Sequence, residues 1–290
     1  MSLEETLNKL EIEKEDLKIL KELKKNGLRA KEILNLSKAL AHKTVQEKKD
    51  YYIGKSHVKF GIISDGHRGN INYDVALMNY ACDEFKKQKV DFVIDAGDIM
   101  DGWYQNRPQS LFEQNAIGLD QQVDVAVKEL SKIKQKLYYI TGNHEYNTFM
   151  RGAGIEVGSY LEELLIKNKV KAQFLGNAEG DITLRSGTKI KIIHPDGGTA
   201  YALSYRPQKI IESLEGGKKP NLLIIGHYHK AEYLFYRNVH CIQAGTLCEQ
   251  TKFMKGRAIP AHKGFWIVEL FTRKGGQIDK IKPQFYPAYD

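Results

Sequence analysis

The 290-residue chain is long enough for one large domain, or a medium domain with a small appendage, at roughly 100–200 residues per domain. With 42% hydrophobic and 28% charged residues it can bury a sizeable core, which excludes disorder as a description of the whole. Forty-four Lys plus Arg against 36 Asp plus Glu leave a net charge of +8, which favours an anionic partner without choosing nucleic acid over a small phosphate ester. No apolar run approaches the roughly 20 residues that span a bilayer, and Met1-Ser2-Leu3-Glu4-Glu5 lacks the basic cap and apolar stretch of a signal peptide. The expectation is a cytoplasmic protein with no membrane partner. Cys82, Cys241 and Cys248 form no C-x-x-C pair, so any metal would be held by oxygen and nitrogen.

Residues 1–50 read as a small helical segment, with helices at about 13–25, 30–35 and 37–47. Gly27 is a natural stop for the first and Ser37 a cap for the third, which makes the segment helix-turn-helix-like. A plain helical hairpin, packed on the main domain or forming a homodimer contact, fits the same pattern. Residues 51–56 suit a linker, and residues 57–290 form the main domain. There the texture alternates: strand 58–64, helix 74–88, strand 92–95, helix 119–134, strand 137–140. Further strands are expected near 188–193, 222–226, 233–236, 239–243 and 264–270, with helices near 157–168 and 207–214. The alternation implies a parallel or mixed sheet, or a pair of sheets, covered by helices in an α/β fold. The tail 280–290, with two prolines and three aromatics, reads as a segment lying along the surface.

A polar cluster of one chemical kind follows nearly every strand. Ser64-Asp65-Gly66-His67 follows the first, Gly97-Asp98-Ile99-Met100-Asp101 the second and Gly142-Asn143-His144-Glu145 the third. His194 ends the strand 189–193, and Gly226-His227-Tyr228-His229 ends 222–225. Strand C-terminal ends in such sheets converge on one crevice, and Asp, His and Asn offer metals oxygen and imidazole donors. A lone Asp-x-His or Gly-Asp is a common turn, and a single His is more often structural than a ligand. Five such clusters in order are hard to obtain from turns alone.

This order, D-x-H, G-D-x-x-D, G-N-H-E, H, G-H-x-H, resembles the calcineurin-like metallophosphoesterase superfamily over roughly residues 57–270, including its DNA-repair nuclease branch. The resemblance implies a four-layer αββα sandwich and a dinuclear centre. One metal would be held by Asp65, His67, Asp98 and His229, the other by Asp98, Asn143, His194 and His227, with Asp98 bridging. It implies that His144 contacts the phosphate and protonates the leaving oxygen, with Asp98 as the other catalytic residue and Asp101 and Glu145 as orienters behind the ligands. His194 is followed by Pro195-Asp196-Gly197-Gly198 where the family usually has a short His-Gly or Gly-His step, so Asp196 stands as an alternative ligand. Carboxylate and imidazole without thiolate suit two divalent ions, Mn first, with Fe, Zn or Ni as alternatives. Such a pair would hold a hydroxide between them as the nucleophile and neutralise the phosphoryl oxygens.

For the substrate, Arg68 and the run Tyr201 to Arg206 are the polar residues best placed by sequence. Arg206 could grip a phosphate and Tyr205 or Tyr201 stack on a base, although the two tyrosines are four apart and could simply pack. The loop 102–118, with Trp103, Tyr104, Asn106, Arg107, Phe112 and Gln114, has the makings of an active-site rim or of a structural Ω-loop. Three functions remain open on this reading. They are a phosphodiesterase acting on DNA or RNA, an esterase for a small compound such as a cyclic nucleotide or phosphomonoester, and a nucleic-acid-binding protein with a largely structural metal site.

Overall fold

The computed structural model describes residues 21, 22, 25, 50–52, 56–104 and 108–289. Apart from helical Lys21, Glu22 and Lys25, the helices expected within 1–50, and with them the helix-turn-helix reading, lie outside the described residues. The chain divides into units Met1–Lys49 and Asp50–Asp290, and all that follows concerns the second.

Its strands are β1 (Asp50–Tyr52), β2 (His57–Ile63), β3 (Phe92–Asp95), β4 (Lys136–Thr141), β5 (Ala172–Asn177) and β6 (Glu179–Leu184). They continue as β7 (Lys189–Ile193), β8 (Leu222–Ile225), β9 (Ala231–Tyr236), β10 (Val239–Ala244), β11 (Gly264–Thr272) and β12 (Ile278–Pro287). The longer helices are α1 (Val75–Lys87), α2 (Leu119–Leu130), α3 (Val157–Lys167) and α4 (Tyr205–Ser213). Two six-stranded sheets form, ordered β12-β11-β2-β3-β4-β5 and β1-β6-β7-β8-β10-β9.

Side chains alternate along each strand, so every sheet has two faces to cover. Phe60, Ile62, Phe92, Ile94, Ile190 and Ile224 belong to the core shared by the two sheets. On the other face of the first sheet, Ile63, Val93 and Tyr139 pack against Phe85 of α1, Ala126 of α2 and Leu161 of α3. Ile211 of α4 covers Leu223 and Cys241 on the outer face of the second. The result is the expected α/β four-layer αββα sandwich. Each fully buried Ile or Phe in these layers contributes about 1.5–3 kcal/mol, so the sandwich is a stiff frame for its loops.

Register decides where the loops emerge. In the parallel set β2-β3-β4, Ile63 lies opposite Asp95 and Asp95 opposite Tyr139. In the other sheet, Ile193 of β7 lies opposite Ile225 of β8. These strands end nearly flush, so the residues after each one share a single edge of the sandwich.

Four expectations change. Asp50–Tyr52, across the boundary between the expected segment 1–50 and the linker 51–56, pairs in parallel with Ile182–Leu184 and adds an edge strand. α2 stops at Leu130, short of the expected 134, because Ile133 folds back into the core with its N–H on Leu130 O. β5 and β6 went unrecognised, their apolar residues being interrupted by Gly176, Asn177 and Gly180. The tail does not lie loosely on the surface: β12 pairs antiparallel with β11 along its length, Pro283 opposite Val268. Proline removes a ladder donor and is tolerated here because β12 is an edge strand.

Candidate metal centre

The first ligand loop is laid against the second by main-chain bonds. Asp65 N–H donates to Gly97 O, His67 N–H to Asp98 O and Arg68 N–H to Ile99 O, each at 2.9 Å, so the β2–β3 pairing continues as loop against loop. Asp65, His67, Asp98, His227 and His229 all have positive φ, between 45° and 77°. That region is sparsely populated by side-chain-bearing residues and costs of order 1–3 kcal/mol each, a strain that clusters at functional sites. The backbones also approach too closely for larger residues. A Cβ on Gly142 would press on the Asp98 carboxylate and come within 2.6 Å of Asp98 N. One on Gly226 would meet Ala96 O at 2.5 Å and His194 Nδ1 at 2.7 Å.

Three groups of donor atoms result, each drawn together within 4.8 Å: Asp65, His67 and His229; His67, Asp98 and His144; Asp98, His194 and His227. Asp98 is common to the last two. In His194 and His227 the ring nitrogen on the far side is engaged elsewhere, which aims the other inward. His194 Nδ1–H donates to Ala96 O (2.8 Å), leaving Nε2 3.0 Å from Asp98 Oδ2. His227 Nε2–H donates to Gly197 O (2.7 Å), leaving Nδ1 with the lone pair. His67 Nδ1 lies 3.4 Å from Asp101 Oδ1, and its Nε2 is 3.1 Å from His229 Nε2, itself 3.3 Å from Asp65 Oδ1. Asp65 is braced by Ser64 Oγ, by the His227 N–H (3.0 Å to Oδ2) and by Thr246 Oγ1, which donates to its carbonyl at 2.8 Å. Two imidazole nitrogens meeting at 3.1 Å and the buried Asn143 Oδ1, which has no hydrogen-bond partner, offer lone pairs that cations would satisfy. The residues present therefore fit divalent metal, and the three cysteines take no part in these groups.

His144 sits over Asp98, its Nε2 3.9 Å from Oδ2, while its Nδ1–H donates to the Asp101 carbonyl at 2.5 Å. Asp101 thereby touches both His67 and His144, and is itself held by Asn70 Nδ2 (3.1 Å) and Gln114 Nε2 (3.0 Å). Glu145 accepts from Met100 N–H (2.6 Å) and Gly142 N–H (2.8 Å), clamping the Asp98 and Asn143 loops together.

Electrostatics follow the geometry. Burial opposes ionisation of Asp98, but His194 and His144 beside it hold its carboxyl well below the usual range. Burial likewise works against a charge on His194, yet Asp98 and Asp65 hold it up at about 10. His144 is raised in the same way, burial being outweighed by Asp98 and Asp101. His67 and His227 are pushed down, chiefly by burial. Glu145 is raised to about 7 by burial and the Asp98 charge.

All seven residues expected as ligands thus lie at one edge, and His194 rather than Asp196 joins Asp98 and His227, although Asp196 lines the adjoining cavity. The substrate residues read from sequence fare differently. Arg68 is 0% exposed, its Nη1 3.1 Å from Ile99 O and 3.6 Å from Asp95 Oδ2, with its guanidinium over Tyr73. It is a structural cation under the site. Tyr201 and Tyr205 point into solvent and, with Arg206, stand outside the lining of the cavity; Arg206 sits behind the Gly197 turn, 3.7 Å from where a Cβ would be. The rim loop does line the cavity through Trp103, Tyr104, Ser110 and Phe112; Asn106 and Arg107 lie outside the described residues. Sequence reasoning missed Thr246, although Gly245-Thr246 follows β10 just as the other clusters follow their strands, and it missed the wall at 251–259.

The family model described as the calcineurin-like phosphoesterase superfamily domain matches residues 58–259, most of the chain. The chain belongs to that superfamily. It is accordingly a hydrolase of phosphoric esters, with Asp/His clusters able to bind divalent metals. Similar solved structures include an archaeal phosphodiesterase at 16% identity, covering 79% of this chain and 99% of that one, with a TM-score of 0.45. A dimetal phosphatase from Danio rerio matches at 13% identity over 79% of this chain and 95% of its own, TM-score 0.45. The E. coli phosphoesterase YfcE matches at 14% over 77% and 98%, TM-score 0.42. No curated protein matches by sequence. No helix among the described residues is long and apolar enough to cross a membrane.

Proposed function

We propose that this phosphoesterase is a dinuclear phosphodiesterase acting on nucleic acid. The observation that carries the two-site reading is the Asp98 carboxylate, whose Oδ2 lies 4.0 Å from His67 Nε2 on one side and 3.0 Å from His194 Nε2 on the other, so that it stands between the donors of both sites. One group would comprise Asp65, His67, Asp98 and His229, the other Asp98, Asn143, His194 and His227, with Mn as the cation and Fe, Zn or Ni as alternatives. Bound there, divalent cations supply charge neutralisation for the phosphoryl oxygens and a water acidified to a nucleophile. The remaining work falls to the chain. His144 carries a proton at Nε2, kept there by Asp98 and Asp101, and gives it to the departing oxygen while its Nδ1–H stays on the Asp101 carbonyl. Asp101 holds the His67 ring in place, and Glu145 keeps Asn143 and Asp98 in register.

A diester of nucleic acid is supported by the size of the opening. The cavity over the cluster measures 940 Å³, at the top of the 300–1,000 Å³ range that houses drug-sized ligands, and it exceeds what a phosphate alone requires. The net charge of +8 suits that substrate as it suits any anionic ester. The test is hydrolysis of single-stranded DNA, duplex DNA, a cyclic dinucleotide, a bis-aryl phosphodiester and an aryl monophosphate by chelated protein, with and without added Mn²⁺. Mn²⁺-dependent cleavage of DNA and of the aryl diester, abolished in Asp98→Ala, is expected. Full activity after exhaustive chelation or in Asp98→Ala overturns the metal mechanism, and turnover confined to the monoester or cyclic dinucleotide overturns the substrate.

A further inference from the structure

The loop that follows His194 forms one side of the cavity over the cluster, through Asp196, Gly197, Gly198 and Thr199. None of residues 195–203 is buried, so no apolar anchor holds this wall against the frame. A segment with little buried apolar surface keeps its place through polar bonds or opens locally. Here the bonds come from side chains and reach every third carbonyl. His227 Nε2–H donates to Gly197 O (2.7 Å), Lys230 Nζ to Ala200 O (2.5 Å) and Gln243 Nε2 to Leu203 O (3.1 Å).

The middle bond differs from its neighbours. His227 belongs to a donor group of the cluster, and Gln243 shares its amide nitrogen with Glu232 Oε2 (2.7 Å). Lys230 has no such second duty. It is only 5% exposed, a burial that lysine seldom accepts, and it spends its hydrogen bond on a neutral carbonyl of an otherwise exposed loop. An ammonium can only donate, so the direction of that bond is fixed. Thr199 Oγ1, the other donor near Ala200 O, stands 3.5 Å away, too far to replace it. The lysine is itself rooted in the frame, because Gly245 N–H donates to Lys230 O at 3.0 Å. It therefore reaches from the residue after His229 to the residue after Thr199, where the wall ends.

We propose that Lys230 is a positioning residue for substrate binding, holding the turn 196–200 as a fixed wall of the cavity. Its ammonium bonds the loop rather than a donor of the cluster. Losing it loosens the opening that captures the ester and leaves the groups that perform the chemistry in place. This rests on the phosphoesterase reading for there being an ester to capture, whereas the anchoring of the loop does not depend on it.

The test uses the full-length protein and Lys230→Met, with Lys230→Leu as a second variant should the first fail to fold; both remove the donor and leave apolar bulk. In the first arm, chelated protein is digested briefly with chymotrypsin, which cuts after tyrosine, and Tyr201 in this loop is fully exposed. Cutting there requires the loop to leave the frame, so its rate follows the opened population. A rise of roughly fivefold or more at Tyr201 is expected in the variant, as for loss of a bond from a charged donor. In the second arm, hydrolysis of an aryl phosphodiester with Mn²⁺ should show KM raised by roughly threefold or more and kcat within about twofold, the pattern of lost ground-state binding. Unchanged cutting at Tyr201 overturns the anchoring. An unchanged KM, or a kcat that falls as far as KM rises, overturns the positioning role. Failure of the wild type to hydrolyse the diester with Mn²⁺ would instead defeat the phosphoesterase reading, and the digestion, which needs neither metal nor substrate, would still decide the anchor.

Discussion

The pair formed by His194 and Asp98 makes a quantitative prediction for the protein stripped of metal. Their atoms lie 3.0 Å apart and both are fully buried, so at an effective dielectric constant near 20 the attraction is about 5 kcal/mol before burial is subtracted. Burial pulls His194 down and this attraction wins, which is why the imidazole is held at about 10 against an ordinary value of 6.5. A histidine raised on folding binds its proton more tightly in the native state, so the stability it contributes is fully present below about 6.5 and is lost as pH rises through about 10. Asp95 and Glu145, both raised to about 7, act the same way but are largely spent by about pH 8. Between about pH 7.5 and 8.5 the slope belongs mainly to His194, at up to about 1.4 kcal/mol per pH unit for one proton; at higher pH Cys82, Cys241 and Cys248, raised by burial, add their own loss as thiols ionise in the unfolded chain. The assay is urea unfolding in a chelator across that interval, in wild type and in Asp98→Asn. The wild-type midpoint should fall steadily with pH, and the variant, whose neutral amide no longer holds the proton, should be nearly flat. Adding Mn²⁺ should abolish the slope in wild type, because a metal takes the lone pair that the proton occupied. A flat wild-type profile, or an undiminished slope in Asp98→Asn, refutes the reasoning.

Two further substitutions probe the frame under the site. Gly226→Ala drives a methyl group into Ala96 O, Ser64 Oγ and His194 Nδ1, all within 2.7 Å of it, and should cost about 1–3 kcal/mol in urea unfolding. A loss under about 0.5 kcal/mol would mean that the loops yield where the packing says they cannot. Arg68→Leu removes the cation beside buried Asp95 and should destabilise by about 3 kcal/mol, the lower end of the range for a broken buried pair, because Asp95 can take up a proton instead. The KM for an aryl phosphodiester should be unchanged; a large rise in KM at unchanged stability would return Arg68 to the role of substrate ligand.

The ligand loops were legible in the sequence because their information is local. An apolar run that ends in Gly-Asp or Gly-Asn-His states both that a strand stops and which donors follow it, and the flush register of β2, β3 and β4 then gathers the clusters without further instruction. His194, at the least regular of the five positions, still falls beside Asp98 because β7 runs level with β8. The alternation of strand and helix carried the α/β class for the same reason. Arg68 shows where that kind of reading stops. One residue after His67 it looks like an outward cation, but the loop turns at positive φ and sends its side chain under the sheet to Asp95 and Tyr73. Direction at a loop depends on backbone torsions set by neighbouring loops, and these have no local sequence mark when Asp and His, rather than Gly, adopt them. The wall at Phe253 and Arg257 is invisible for a related reason. Five residues of helix carry too little periodicity to be recognised, and their sharing of one cavity with Phe112, about 140 residues earlier in the chain, comes only from how β10 and β11 set the ends of the intervening loop. Donor identity and strand ends are thus properties of short stretches of chain, whereas burial of a charge and the lining of one cavity arise from packing between stretches far apart.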